Sequence, residues 1–372
     1  MKTSFSSTLT ALSFAAVSLF SESLEAQVAY QPILGVDYSV TGVRGTTTDF
    51  NNQEVVYTGN GPGGQGLLYV GNLFGGGTTN VLNAFGGSGT TNTLLYGPDT
   101  PAFNPSIGAG NIRAVGTYNK TPSTNNQLFG ALYTGPAAGG GTWLNIQVPD
   151  AVAGGTVYDT IPHSVMGNLV VGNFNIVGAS ASPGSGFIYN MANSNYQTIN
   201  LPGGGTTSLY GVWQNGIGSS SYTMIGGTAV TAGLTKALIM SFDSVNLSFT
   251  NITEIAIAPD AFLSHFEGIT AAEGGFNVVG MTTSTNGAGE WFGFIATNAS
   301  GFSTNVQWTS LEYPGADSTT ANTVYGNYAI GVFVASGAGG EQPYVATIPE
   351  PSTVALLLLG AGALGLWKWR RA

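Results

Sequence analysis

Two histidines, His163 and His265, are the only imidazoles in 372 residues, and cysteine is absent. Acid–base work would fall first to these rings, since a histidine general base needs an orienting partner and a substrate within hydrogen-bond reach. Glu267 stands two residues beyond His265, and Asp159 four before His163. The plainer role for both rings is a repeat position near a channel rim, where Ser, Thr or His is tolerated. Paired carboxylates are the other route to chemistry: a polysaccharide hydrolase or lyase would need two of them about 5–10 Å apart across a cleft. Asp159, Asp260, Glu267 and Glu273 are available for that. With two histidines and no cysteine the usual zinc and iron ligand sets are excluded, and neither metal nor cofactor is expected.

Sugar binding would use aromatic rings instead, and Trp143, Trp213, Trp291 and Trp308 are the large ones. Trp143 and Trp308 share one repeat register with Tyr196 and Phe249, which assigns them to blade-to-blade packing, because each such ring buries about 150–250 Å². Trp213 departs from the repeat and adjoins Gln214 and Asn215, so it is the expected ligand-facing aromatic, with His163 and His265 beside it as candidates. The run Gly59-Asn60-Gly61-Pro62-Gly63-Gly64 has the spacing of a dinucleotide-binding loop. It leads from strand to strand, however, with no helix to cradle a pyrophosphate, and reads as a hairpin turn. No nucleophile elbow, phosphate-binding P-loop or EF-hand loop is present.

The elements that must position these residues repeat. A pair of small or branched apolar residues followed by Gly recurs at Gly116, Gly172, Gly226, Gly280 and Gly331, and a strand rich in apolar and aromatic residues follows each time: Leu132-Tyr133, Ile188-Tyr189, Ile239-Met240, Phe294-Ile295, Tyr344-Val345. An aromatic in a polar strand comes next, at Trp143, Tyr196, Phe249 and Trp308. Upstream lies a small-polar or His position and then Gly, read as Ser164 to Gly167, Ser208 to Gly211, His265 to Gly268 and Thr323 to Gly326. A drifted first copy runs from Ser39 to Asn83, making six copies of about 54 residues, each of four short strands without helical periodicity. The sixth copy stops before its fourth strand, and one spare strand, Val28 to Leu34, precedes the first. An all-β, six-bladed β-propeller is the expectation. A β-solenoid or elongated β stack is the alternative, and two separate β-domains the next.

Gly supplies 57 residues and charged residues only 7% of the chain. Between residues 27 and 348 four cations, Arg44, Arg113, Lys120 and Lys236, face fifteen carboxylates. Nucleic acid is excluded as a partner, because binding it rests on cationic neutralisation of phosphate. A domain of about 320 residues buries enough surface to stand without disulfides.

The two ends carry addresses. Lys2, the apolar stretch Leu9 to Phe20 and a polar segment ending on Ala26 read as a secretory signal peptide over residues 1–26. At the other end Pro349-Glu350-Pro351 leads into an apolar run from Thr353 to Trp367, flanked by Lys368, Arg370 and Arg371. Fifteen helical residues rise roughly 22 Å at about 1.5 Å each, short for a permanent span of a hydrocarbon core of roughly 30 Å. The flanking cations should stay cytoplasmic. This order of parts resembles the PEP-CTERM sorting signal, which is read by an exosortase. The resemblance implies export, a transient membrane anchor over residues 349–372 and cleavage near the motif. The expected partners are therefore an exosortase-like enzyme, the envelope membrane and exopolysaccharide. The expected location is the cell envelope or extracellular matrix. For residues 27–348 a non-enzymatic surface or matrix protein leads, a carbohydrate-binding propeller follows, and a polysaccharide hydrolase or lyase is third.

Overall fold

β-Branched and aromatic runs separated by glycine-rich turns favour short strands over helices, and the computed structural model is almost wholly strand and turn. It describes residues 27–349, apart from 88, 121–126, 179–183, 200, 202–205, 232–233, 259–260, 285–286 and 338–339. Residues 30–346 form one compact unit; of the second, made of the chain ends, only 27–29 and 347–349 are described.

The first strand, β1 (Ala29–Pro32), stands apart from the hairpin that follows it. Five sheets then follow in chain order. Blade one comprises β2 (Ser39–Gly45), β3 (Glu54–Gly61), β4 (Gln65–Asn72) and β5 (Thr78–Leu82). Blade two has β6 (Thr90–Asp99), β7 (Asn111–Lys120), β8 (Phe129–Pro136) and β9 (Thr142–Ile146). Blade three has β10 (Val157–Met166), β11 (Leu169–Ile176), β12 (Ser185–Asn190) and β13 (Asn195–Thr198). Blade four has β14 (Thr207–Gln214), β15 (Ser221–Thr231), β16 (Leu234–Asp243) and β17 (Ser248–Ile255). Blade five has β18 (Ala261–Ala272), β19 (Gly275–Ser284) and β20 (Gly287–Asn298), with β21 (Gly301–Phe302) and β22 (Trp308–Ser310) both pairing to β20.

The sixth sheet settles the architecture. Its order is β1-β25-β24-β23, formed by β23 (Ala316–Tyr325), β24 (Tyr328–Ala335) and β25 (Glu341–Thr347), with β1 in the vacant fourth place. Ile33 donates its amide to the Pro343 carbonyl at 3.0 Å beside that seam. The first strands β2, β6, β10, β14, β18 and β23 each touch the like strands on both sides, and β23 returns to β2. The ring is closed, so the open stack and the two-domain arrangement are both excluded.

Burial falls from the middle of each blade outward. β11 (LVVGNFNI) is buried at six consecutive positions, while the outer β13 is exposed or half-buried throughout. Neighbouring blades cover both faces of the middle strands, so these read as continuous apolar runs. Each buried Val, Leu or Ile contributes about 1.5–3 kcal/mol. The outer aromatics pair across their own blades: Trp143 with Tyr133 at 5.0 Å, Tyr196 with Tyr189 at 4.6 Å and Phe249 with Phe242 at 4.9 Å between ring centres. Polar clamps join the blades. Asn60 and Asn173 accept the amides of Leu95 and Leu209 in the next blade, each at 2.8 Å.

One repeat alignment needs correction. Gly167 and Gly326 are not counterparts of Gly211 and Gly268: they sit in the turns after β10 and β23 with φ of +61° and +54°. Gly211 and Gly268 lie within inner strands, and the positions matching them in blades three and six are Ser164 and Thr323.

Among the described residues no helix is long and apolar enough to cross a membrane. The α-helix they contain is a single turn, α1 (Asp150–Ala153), between blades two and three. The expected leader (1–26) and the sorting and anchor residues Glu350, Pro351, Lys368, Arg370 and Arg371 lie outside the described residues.

Candidate binding site on the propeller axis

Each inner strand carries a β-bulge at one common level, and β6, β10, β18 and β23 carry a second register shift nearer their start. The register slips between Val40 and Gly42, Leu95 and Pro98, Pro162 and Ser164, Leu209 and Gly211, Phe266 and Gly268, and Ala321 and Thr323. The residue left over is Thr41, Tyr96 (with Gly97), His163, Tyr210, Glu267 or Asn322. All six line one small void that draws on every blade. Bulges re-aim side chains in this way.

The recurring glycines make room for them. Gly59, Gly116, Gly172, Gly226, Gly280 and Gly331 each pair with the residue just before a bulge. A β-carbon on Gly226 would overlap the Ser208 carbonyl oxygen, and one on Gly331 that of Thr320.

Above the bulges a cavity of about 320 Å³ opens between blades two to five. Its floor is a run of rings from four consecutive blades. Ring centres are separated by 5.1 Å from Tyr96 to His163, 4.6 Å from His163 to Tyr210, and 4.7 Å from Tyr210 to His265, the last pair stacked. His265 Nε2 and Glu267 Oε1 are 2.5 Å apart at the edge of this run. The walls carry neutral hydrogen-bonding groups: Asn173, Asn175, Ser208 and Thr235. Tyr96, His163, Tyr210, Leu263 and His265 are all half-buried, so the cavity reaches solvent.

Burial keeps three of the four rings uncharged. Desolvation pushes the His163 imidazole down to about 4, Glu267 pulling it up and His265 pushing it further down. Burial raises the Tyr210 phenol, reinforced by the Glu267 carboxylate, and burial likewise raises Tyr96. At ordinary pH His163, Tyr210 and Tyr96 therefore present neutral rings able to stack on an apolar face.

At the bulges the axis narrows. The void there is about 30 Å³, room for little more than a water or two. Arg44 lies beneath it, its guanidinium 5.1 Å from the Trp213 ring and 5.6 Å from that of Phe103, with Nε donating to the Pro98 carbonyl at 3.3 Å. Buried Asp99 accepts Thr100 N on one oxygen and Asn104 Nδ2 and Gly167 N on the other, at 3.0, 3.2 and 3.2 Å. Burial lifts this carboxyl to about 6 against the pull of Arg44.

The structure thus brings His163 and His265 together with Tyr210 between them, and Glu267 joins them. Trp213 lies apart, 6% exposed in the core, its ring 6.1 Å from Phe50 and 5.5 Å from Phe103. Asp159 accepts Leu128 N at 2.8 Å and Asn175 Nδ2 at 3.2 Å, a bracing role, and Glu273 is exposed beyond the end of β18. Asp260 lies outside the described residues. Among the described residues no three His, Asp or Glu groups gather to hold a metal. Sequence reasoning did not single out Tyr96, Tyr210 as a floor residue, or Glu290. Glu290 is 7% exposed, with Oε2 unpartnered, and burial raises it to about 8.

Residues 347–372 match the model of the PEP-CTERM protein-sorting motif, so the chain carries that motif at its C-terminal end. No curated protein matches the sequence. Similar solved structures include an exo-β-1,3-galactanase from Phanerochaete chrysosporium with β-1,3-galactotriose: 8% identity, TM-score 0.39, 86% of this chain covered. This chain spans 64% of that one's length. An α-L-arabinofuranosidase from Podospora anserina in complex with cellotriose has 11% identity and TM-score 0.34, covering 65% of this chain and 88% of its own. An uncharacterized protein from Listeria monocytogenes has 11% identity and TM-score 0.36, with 84% and 82% covered.

Proposed function

We propose that this protein is a non-enzymatic binding module of the cell envelope, exported and sorted through its C-terminal motif, whose propeller holds an uncharged, hydroxyl-rich ligand in the axial cavity. The PEP-CTERM motif implies export and exosortase processing. The observation that carries the binding reading is the cavity itself, with four rings in its floor and amides and hydroxyls in its walls. Stacking platforms with a few placed polar groups suit a sugar ring. Glycoside hydrolysis calls for two carboxyl groups flanking the bond, whereas among the described residues lining the cavity and the void below it Glu267 is the one carboxylate.

Two measurements test this. Calorimetric titration of the full-length chain in detergent with a panel of neutral oligosaccharides should give binding, and mass spectrometry of the same mixtures should return the sugars intact; cleaved products would overturn the non-enzymatic reading. Replacing Pro349 and Pro351 by Ala should leave the chain unprocessed, with its C-terminal mass unchanged. Normal processing of that variant would sink the sorting role of the motif.

A further inference from the structure

We propose that the axial cavity takes the free end of a linear, uncharged glycan, entering end-on along the propeller axis, and does not accept internal segments of the chain. This rests on the binding-module reading above and adds the direction of entry.

Three observations carry it. The cavity is a cup: the bulge residues of all six blades narrow the axis beneath it to a void of about 30 Å³. Arg44 lines that void, its Nε donating to the Pro98 carbonyl. The axis is narrowest at this level, which makes the bulge residues the base of the cup.

The cup is also walled on one side. Among the described residues its lining comes from blades two to five, and blades one and six contribute none of it. The Asn322 amide to the Val40 carbonyl and the Thr41 hydroxyl to the Leu95 carbonyl, each 2.6 Å, lock the inner strands of blades six, one and two. A groove for an internal segment needs an exit as well as an entrance, and the locked side offers none.

Chemistry then selects the ligand. Tyr210 lies between His163 and His265 at 4.6 and 4.7 Å, making the centre of the floor a broad π surface suited to the C–H face of a pyranose. Asn173, Asn175, Ser208 and Thr235 surround it with neutral donors and acceptors. Among the described residues the cup itself is lined by no Lys or Arg, and the void at its base places the Glu267 carboxylate on the axis, which disfavours an anionic sugar. A cavity of about 320 Å³ lies at the small end of ligand pockets, roughly 300–1,000 Å³.

The test compares linear and cyclic glycans of identical linkage, which differ only in having ends: linear and cyclic α-1,4-glucans, and linear and cyclic β-1,2-glucans. Each is titrated into the full-length chain. The linear member of at least one pair should bind, its cyclic partner should not, and Tyr210→Ala should weaken the linear glycan about tenfold or more. Leu263→Trp, which fills the rim without touching the floor, should block it too and guards against misfolding of the first variant. Equal binding of both members, sensitive to Tyr210→Ala, would overturn end-on entry while leaving the binding module standing. Binding indifferent to both substitutions would remove the cavity from the account. Absence of binding across all four glycans, with the unmodified chain folded by circular dichroism, would sink this proposal and the binding reading together.

Discussion

Asn322 donates its side-chain amide to the Val40 carbonyl at 2.6 Å, joining the inner strands of the last and first blades across 282 residues of sequence. Val40 is fully buried, so its carbonyl has no water to fall back on. Asn322→Ala should lower stability by about 1–3 kcal/mol, the usual cost of an orphaned buried acceptor. Urea unfolding of variant and parent measures it, and an unchanged midpoint would show that closure does not lean on this bond.

Gly226→Ala should be more damaging than its single methyl suggests. The added β-carbon would overlap the Ser208 carbonyl oxygen across from the Tyr210 bulge, and both strands are fixed by their ladders. A cost of about 3 kcal/mol or more is expected, at the upper end of overpacking. Gly63→Ala, in the β3–β4 turn, meets nothing within 4 Å and provides a control for the positive φ of +74° alone. Differential scanning calorimetry should place Gly226→Ala well below it.

His163 makes the fold sensitive to acid. Its folded-state value is about 4, below the ordinary 6.5, so folding excludes a proton that the unfolded chain accepts. Stability from this group is complete above pH 6.5 and drains away as pH falls toward 4, by up to about 3 kcal/mol. His163→Gln should flatten that limb of the stability profile. A profile identical to the parent's between pH 6.5 and 4 would show that His163 is not the group responsible.

Glu290 acts in the opposite direction. Burial raises it to about 8, so the folded chain holds a proton that the unfolded chain releases above about 4.5. Its penalty grows from there to about pH 8 and then levels off. Glu290→Gln should therefore stabilise the protein at pH 8 and leave it nearly unchanged at pH 4, as read by thermal melts at both values. A variant equally destabilised at both would mean that the carboxyl makes a specific bond which the amide cannot replace.

Trp213→Ala should destabilise the fold by about 3–5 kcal/mol, as truncation of a buried Trp does, because its ring packs on Phe50, Phe103 and Arg44. Glycan affinity measured on the folded fraction should stay within about twofold of the parent. A selective loss of affinity with stability intact would return Trp213 to the ligand.

Much of the architecture was legible in the residues. Gly116, Gly172, Gly226, Gly280 and Gly331 mark one place in five blades because the bulge opposite tolerates nothing larger. The strand spare at Val28 to Leu34 and the vacancy after Ile348 forecast the seam. The floor of the site was harder to read, since a bulge shifts which residue faces the axis and hairpin lengths vary. The bulge residue precedes its paired glycine by nine residues from His163 to Gly172, and by twenty from Tyr96 to Gly116. No fixed spacing flags Tyr96 or Tyr210. The same drift let the turn glycines Gly167 and Gly326 pass for inner-strand ones. Trp213 misled for a related reason: its polar neighbours Gln214 and Asn215 imply exposure, yet Gln214 is itself buried and donates to Ser219 O and Tyr222 Oη at 2.7 and 3.1 Å.

The seam between β1 and β25 ties the order of synthesis to the order of folding. The earliest segment of the globular unit to be made must wait for the last before it finds its hydrogen-bonding neighbour. Until then a nascent chain carries an unsatisfied strand flank at each extremity, a template for pairing with another copy. Cooperative strength therefore arrives only when the polypeptide is nearly finished.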